Sequence, residues 1–459
     1  MLKRTIKTFV DRLLKPAKSA RPKGPRRYTR EEHGIDRRLV SRHAIKVCEV
    51  LNHEGYQAYV VGGAVRDLLV GLEPKDFDVA TNATPEQIRP LFRRARIIGR
   101  RFRLVHVVFG QEIIETSTFR ADDSGKQTDE HGRILRDNEY GTIEDDAARR
   151  DFTLNALYYD PLTETVIDYH NGVADLKDRQ VRIIGDAETR YREDPVRMLR
   201  AVRFASKLDA TIEPATDAPI RSLSRLIENV PESRLADETL KLLNCGHAMD
   251  CIQRLQALGL HSKLLPMVEP VQRLPGGSEF LDMALARTDT RVRAGKSVSP
   301  SFIYACLLWK LVKQEWERRS AQDMHPQQAL LEAADLILEK QSRIMPIQKR
   351  FQSDMREIWF MQPRFERIAN RAIWRMTEQP RFRAAVDFLQ LRAEAKEVDS
   401  VQAQWWMDLA DAGDEERSNM IAVRKPAGTA ATGSRSGQRR TRRRRSNAKR
   451  SNATGGSES

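Results

Sequence analysis

Hydrophobic and polar positions follow two different rhythms along this chain, and the change between them divides it. Up to about residue 185 short apolar runs alternate with polar turns, whereas beyond Glu188 apolar positions recur at helical spacing almost to residue 411. In the first part Ala44, Val47, Val50 and Leu51 share one face of a helix that begins near Ser41. Tyr59-Val60-Val61 predicts a buried strand, Ala64 to Val70 a helix, and Phe77 to Ala80 a second strand. Thr84 followed by Pro85 is a helix-start signal, so a helix runs on to about Phe92. Leu104 to Phe109 and Glu112 to Thr118 flank Gly110-Gln111, a hairpin signal. Ile143 to Arg149 predicts a short helix, and Tyr158 to Tyr169 a last strand pair. In the second part Leu223, Leu226, Ile227, Leu235, Leu240, Leu242 and Leu243, then Phe302, Leu307, Leu308 and Trp309, are core positions of helices. The expected fold class is α+β: a head with a small mixed sheet, followed by all-α domains.

Three stretches escape both rhythms. Met1 to Leu14 places Leu2, Ile6, Phe9, Val10, Leu13 and Leu14 at helical spacing among lysines and arginines. Such a basic amphipathic helix packs on its own protein or makes a peripheral membrane contact. Pro16 to Arg30 reads as a flexible basic arm. Ala121 to Tyr140 is rich in Asp, Gly, Ser, Lys and Gln and reads as a mobile loop, either a lid or a surface insertion. From Ala412 periodicity fades, and Arg424 to Arg450 is a cationic segment with the composition of a disordered tail. The expected division is therefore 1–40 basic extension, 41–185 head, 186–250 helical neck, 251–411 helical body and 412–459 Arg-rich tail, on a chain long enough for about three domains.

Charge then narrows the partners. Lys and Arg number 79 against 64 Asp and Glu, a net +15, which favours a polyanion such as nucleic acid or an anionic membrane. No apolar run is long enough to span a bilayer. Cys48, Cys245, Cys251 and Cys306 form no Cys-x-x-Cys, so reduced thiols in a cytoplasmic protein are expected rather than a zinc site.

The candidate chemistry lies between Val60 and Thr81. Gly62-Gly63 follows an apolar strand and opens a helix carrying Arg66, a place where backbone N–H groups approach phosphate closely. Asp76 and Asp78 stand thirteen and fifteen positions beyond Gly63, alternating with Phe77 and Val79. On a strand that alternation puts both carboxylates on one face, where they repel unless hard cations sit between them. A phosphate cradle beside a carboxylate pair describes a nucleotidyl-transfer centre with two Mg²⁺ ions, or Mn²⁺ in their place, on Asp76 and Asp78. Arg150 offers a guanidinium fork to the triphosphate. Asp151 beside it, or Glu115 on the strand Ile113 to Thr118, would complete the acidic set. Asp194, Arg197, Arg200 and Arg203 follow one another at three-residue spacing on one helix face.

Gly62 to Asp67, Lys75 to Thr81, Arg149 to Leu157 and Tyr191 to Phe204 together resemble the signature of class II nucleotidyltransferases related to DNA polymerase β, the group of tRNA CCA-adding enzymes and bacterial poly(A) polymerases. The resemblance is dense from about Ser41 to the neck. It implies Asp76, Asp78 and Asp151 as catalytic carboxylates, Gly62, Gly63, Arg66 and Arg150 on the triphosphate, and Asp194, Arg197 and Arg200 reading the incoming base in place of a template. Phe280 to Arg291 and Pro380 to Leu389 look like the body of the bacterial poly(A) polymerases. The implied activity is template-independent transfer of AMP from ATP to RNA 3′ ends in polyadenylation and RNA decay, with decay proteins as further partners. The alternatives are CCA addition to tRNA and, in another class, a non-catalytic RNA-binding protein with a degenerate head.

Overall fold

A computed structural model describes residues 24–99, 103–121, 140–366 and 370–423, the side chains of 370 and 371 excepted. The amphipathic Met1 to Leu14, nearly all of the 121–140 loop and the Arg424 to Arg450 segment lie outside the described residues.

The short apolar runs close into one eight-stranded sheet. Its strands are β1 (Arg26–Tyr28), β2 (Ala58–Val61), β3 (Asp78–Thr81), β4 (Ala95–Ile98), β5 (Leu104–Phe109), β6 (Glu112–Thr118), β7 (Leu157–Asp160) and β8 (Thr165–Asp168), in the order β1-β8-β7-β2-β3-β6-β5-β4. Every pair is antiparallel except β3 with β6, so the sheet is mixed. The Gly110-Gln111 hairpin forms as its residues dictate, with Phe109 opposite Glu112 and Gly110 at φ +60°. Thr84 caps helix Pro85–Leu91 in a capping box with Gln87. Ser41 caps helix Arg42–His53 through the N–H groups of His43 and Ala44.

Each face of the sheet has its own cover. Helix Arg42–His53 lays Ala44, Val47, Cys48 and Leu51 on the face that carries Val60, Val79 and Tyr159. On the opposite face Val61, Ala80 and Tyr158 pack with Phe119 and Ala147, the latter from helix Ile143–Arg149. A third and much larger core joins the helices beyond residue 186, and Phe152, Leu154, Val181 and Ile183 from the end of the head belong to it. Head and neck therefore share packed residues. A fourth core, from Met361 to Ile421, closes the C-terminal helices.

Both ends depart from expectation. Residues 24–40 are not a loose extension: β1 pairs with β8 in the register Arg26 to Asp168, and Tyr28, Ile35 and Val40 are buried in the head core. Three apolar side chains spaced along a basic arm are enough to fix it once a sheet edge is available. At the other end, helix Asp414–Val423 continues past 412 because Ile421 is buried in the last core and Arg417 donates to the carbonyls of Leu409 and Ala412.

Candidate active site

The site is set by strand register. Val61 of β2 stands opposite Asp78 of β3, and Asp78 stands opposite Glu115 of β6. Cross-strand partners share a face, so Asp78 and Glu115 emerge side by side at the end of the face that Phe119 and Ala147 cover elsewhere. Phe77 and Val79 turn to the opposite core, as the alternation requires. Asp76 precedes the strand and is exposed. Asp78 opens to solvent on one side but is otherwise surrounded by protein. Desolvation first, the charge of Glu115 second and that of Asp76 more weakly push its carboxyl up to about 6, against the opposing pull of Arg150. Glu115 is half exposed and meets His106 of β5 at 3.4 Å.

Asp151 is placed differently. One of its carboxylate oxygens accepts from the Phe152 N–H and the Asn155 amide, and the other accepts from Arg200 at 2.6 Å. Despite its burial, the Arg200 guanidinium and these donors hold it below the usual carboxylate range. Its hydrogen-bonding capacity is taken up by the protein, whereas Glu115 faces Asp78 across a strand pair.

The glycine doublet follows β2 directly. Gly62 adopts φ +74° and ψ −126°, which a side chain disfavours, and its N–H is fixed to the Leu157 carbonyl. It caps helix Gly63–Leu69 without any side-chain hydrogen bond. A Cβ on Gly62 would lie 3.4 Å from Arg150 Nη1, and one on Gly63 3.5 Å from Arg66 Nη2. The two arginines thus flank the turn, but they are engaged to different degrees. Arg66 is buried, donating through Nε and Nη2 to Asp67 and through Nη1 to Asn155. Arg150 donates to Asp146 and Tyr158, stacks at 5.2 Å on the Tyr158 ring and keeps partial exposure.

The neck places its residues otherwise than the three-residue spacing suggests. Helix Ala187–Glu193 ends at Asp194, which is extended at φ −146° and ψ 96°, and a second helix, Val196–Lys207, begins after Pro195. A residue before proline is driven out of helical geometry by the ring, so Asp194 lies at the break and not on the face of Arg197. Arg197 pairs with Glu193 at 2.8 Å, and Asp194 with Arg234 at 2.9 Å. Arg200 turns to Asp151 and Arg203 to Glu238, each at 2.6 Å.

Several partners of these groups are not singled out in the sequence as site residues: Asp67 and Asn155, which lie within the resembling stretches, and Asp146, Tyr158 and Lys207, which lie outside them. For Asp146 a signal existed in its i,i+4 spacing to Arg150, and for Lys207 in its place four residues beyond Arg203. As to a metal, among the described residues no three His, Cys, Asp or Glu side chains close into a cage. Asp76, Asp78 and Glu115 offer oxygen donors only, in an open arrangement that suits Mg²⁺, an ion usually held by one or two carboxylates plus substrate phosphates.

This fold recurs in the Thermotoga maritima CCA-adding enzyme complexed with tRNA, which is 18% identical and superposes with a TM-score of 0.53 over 84% of this chain and 86% of that one. Residues 58–182 match the family profile of the poly A polymerase head domain, residues 209–271 that of a probable RNA and SrmB-binding site of polymerase A, and residues 322–447 that of the polymerase A arginine-rich C-terminus. Sheet, site and profiles define a nucleotidyltransferase with a polymerase-type head and a helical body. A CCA-adding enzyme of Lactobacillus helveticus is 38% identical, but over 46% of this chain and 52% of its own length. Poly(A) polymerase I of Salmonella typhi is 43% identical over 405 residues, 85% of this chain and 87% of its own length. The chain belongs to the bacterial poly(A) polymerase I family.

Proposed function

We propose that this enzyme transfers AMP from ATP to the 3′-hydroxyl of RNA without a template and releases pyrophosphate. The observation that carries the reading is the register that sets Asp78 between Val61, the residue before the glycine doublet, and Glu115. In the reaction the RNA 3′-oxygen loses its proton and attacks the α-phosphorus, and the bond from that phosphorus to the β-phosphate oxygen breaks. Asp76 and Asp78 would hold Mg²⁺, with Glu115 in the third acidic position in place of Asp151. Bound there, the ions supply positive charge to the triphosphate and favour the deprotonated hydroxyl.

The chain's own groups do the rest by placement. The bare turn at Gly62 and Gly63 admits phosphate to backbone distance, and Arg150 holds positive charge beside Asp78. Arg66 acts from behind the turn, since its fork is occupied by Asp67 and Asn155. Asp194 and Arg197, on either side of the Pro195 break, are the groups we assign to the adenine edge, with Arg200 supporting them through Asp151. Neck and body, 186–250 and 251–411, would carry RNA along basic surfaces. The cysteines of the chain are free thiols, in keeping with a reducing compartment such as the cytoplasm. Among the described residues no helix is long and apolar enough to cross a membrane.

The deciding assay supplies purified protein with ATP, CTP and either tRNA lacking its 3′ end or an unstructured oligoribonucleotide. Long adenosine tracts on the oligonucleotide are expected. Cytidine incorporation into tRNA in preference to such tracts would overturn the reading.

A further inference from the structure

The two ends of a nucleotide would be gripped by different parts of this chain. Phosphates meet the glycine turn of the head, and the base meets the start of helix Val196–Lys207 in the neck, so their separation depends on how head and neck are joined. That joint is a continuous ladder of polar contacts. Lys207 Nζ donates to Asp67 Oδ2 at 2.8 Å, and Asp67 Oδ1 accepts from Arg66 Nη2 at 2.7 Å. Arg66 Nη1 reaches Asn155 at 2.7 Å, Asn155 reaches Asp151 at 3.0 Å, and Asp151 accepts from Arg200 at 2.6 Å. The ladder leaves the neck helix at its last turn and returns to it two turns earlier, enclosing the phosphate-side helix Gly63–Leu69 on the way. Within the loop the Phe204 ring receives the guanidinium groups of Arg66 at 4.9 Å and Arg200 at 5.2 Å.

We propose that Lys207 and Asp67 are positioning residues for nucleotide selection, a clasp that fixes the span between the phosphate turn and the base-reading end of the neck. The proposal rests on the nucleotidyl-transfer reading above and adds to it two residues that touch no substrate. Ion pairs out of water contribute little net stability compared with apolar packing, but they fix one geometry. Geometry is what selection needs here, because a displacement of about 1 Å at a reacting centre costs up to ~100-fold in rate. Lys207 shares its helix with Arg200, and Asp67 adjoins Arg66, so loosening the clasp moves both grips relative to each other and leaves each one intact.

The test measures equilibrium binding of ATP and of CTP with Mg²⁺ by titration calorimetry, together with Tm, on the full chain. Lys207→Met is expected to weaken ATP binding about five- to tenfold and CTP binding less than about twofold. Lys207→Arg should restore ATP binding to nearly the wild-type level, and adding Asp67→Asn to Lys207→Met should cost nothing further, as expected of coupled partners. Equal loss for both nucleotides accompanied by a lower Tm would make the clasp merely structural and overturn the proposal, as would unchanged affinities. The underlying catalytic reading is tested separately, by loss of AMP incorporation in Asp78→Asn, so the two can fail independently.

Discussion

At neutral pH an ionised Asp78 is held against its surroundings, because burial and the neighbouring Glu115 and Asp76 charges all favour the neutral form. Its carboxyl titrates at about 6 in the folded protein, whereas an unfolded aspartate titrates near ~3.9. A raised value means that the folded state binds the extra proton, so Asp78 is most compatible with folding below pH ~4 and becomes a liability as pH rises through 6. In metal-free protein Asp78→Asn should therefore raise Tm at pH 7 to 8, and the two curves should converge near pH 4. A lower Tm for the variant at pH 8 would mean that the carboxylate serves structure. Glu115 and Asp151 separate along the same lines. Glu115 is exposed with one long histidine contact, so Glu115→Gln should leave Tm nearly unchanged while AMP incorporation falls by about 100-fold or more. Asp151→Asn strands the partly buried Arg200 and should cost about 3 kcal/mol of stability. Reversal of that pattern, with Asp151 deciding turnover and Glu115 deciding Tm, would restore Asp151 to the acidic set.

At the scale of elements, the break at Pro195 matters more than the helices it separates. It leaves Asp194 extended, within reach of Arg234, and starts a fresh helix at Val196 whose first turn carries Arg197. Pro195→Ala removes the restriction on Asp194 and lets the helix Ala187–Glu193 propagate. Steady-state kinetics should then show kcat/KM for ATP about tenfold lower, with Tm level or raised, since proline no longer interrupts the helix. Retained kcat/KM would mean that Asp194 does not read the base. The sequence carried this signal, but regular three-residue spacing from Asp194 to Arg203 suggested one continuous face, and the pre-proline rule outweighs spacing. Elsewhere local chemistry was sufficient: Gly110-Gln111 names its hairpin, Thr84-Pro85 its helix start, and alternation around Phe77 and Val79 the direction of Asp78. What local chemistry could not announce is the sheet edge. β1 is three residues long, and its place follows from the partner Asp168 to Val166 offers, while β4 alternates only between half-buried and exposed positions. Likewise Arg66 and Arg150 look alike in sequence, and it is the adjacent Asp67 together with the nonlocal arrival of Asn155 that occupies the first, while the second stays beside Asp78.

On the scale of the whole molecule, the helical part is held by two cores whose boundary decides where the chain can be shortened. The larger core runs from Phe152 to Trp359 and takes in Phe388 and Leu391, whereas the last core gathers Met361, Phe365, Trp406 and Ile421. Helix Asp414–Val423 closes that last core through Ile421, and Arg417 covers the end carbonyls of the preceding helix Ser400–Asp411. Beyond Val423 the sequence holds eleven Lys and Arg against one Glu, a charge density matched to a phosphate backbone. Two truncations follow from this division. Ending the chain after Asp411 removes both the closing helix and the charges, and should lower Tm as well as RNA affinity. Ending it after Val423 removes the charges alone, so Tm and single-AMP turnover at saturating RNA should match the full chain. On single-stranded RNA, every phosphate that is no longer neutralised flattens the slope of log K against log salt by about 0.7. If even half of those eleven cations meet RNA, the slope should fall by several units, and it should fall equally in both truncations. An unchanged slope after removal of residues 424–459 would place the RNA-binding charge on the folded body instead, and the neck and body surfaces would then account for the whole of RNA capture.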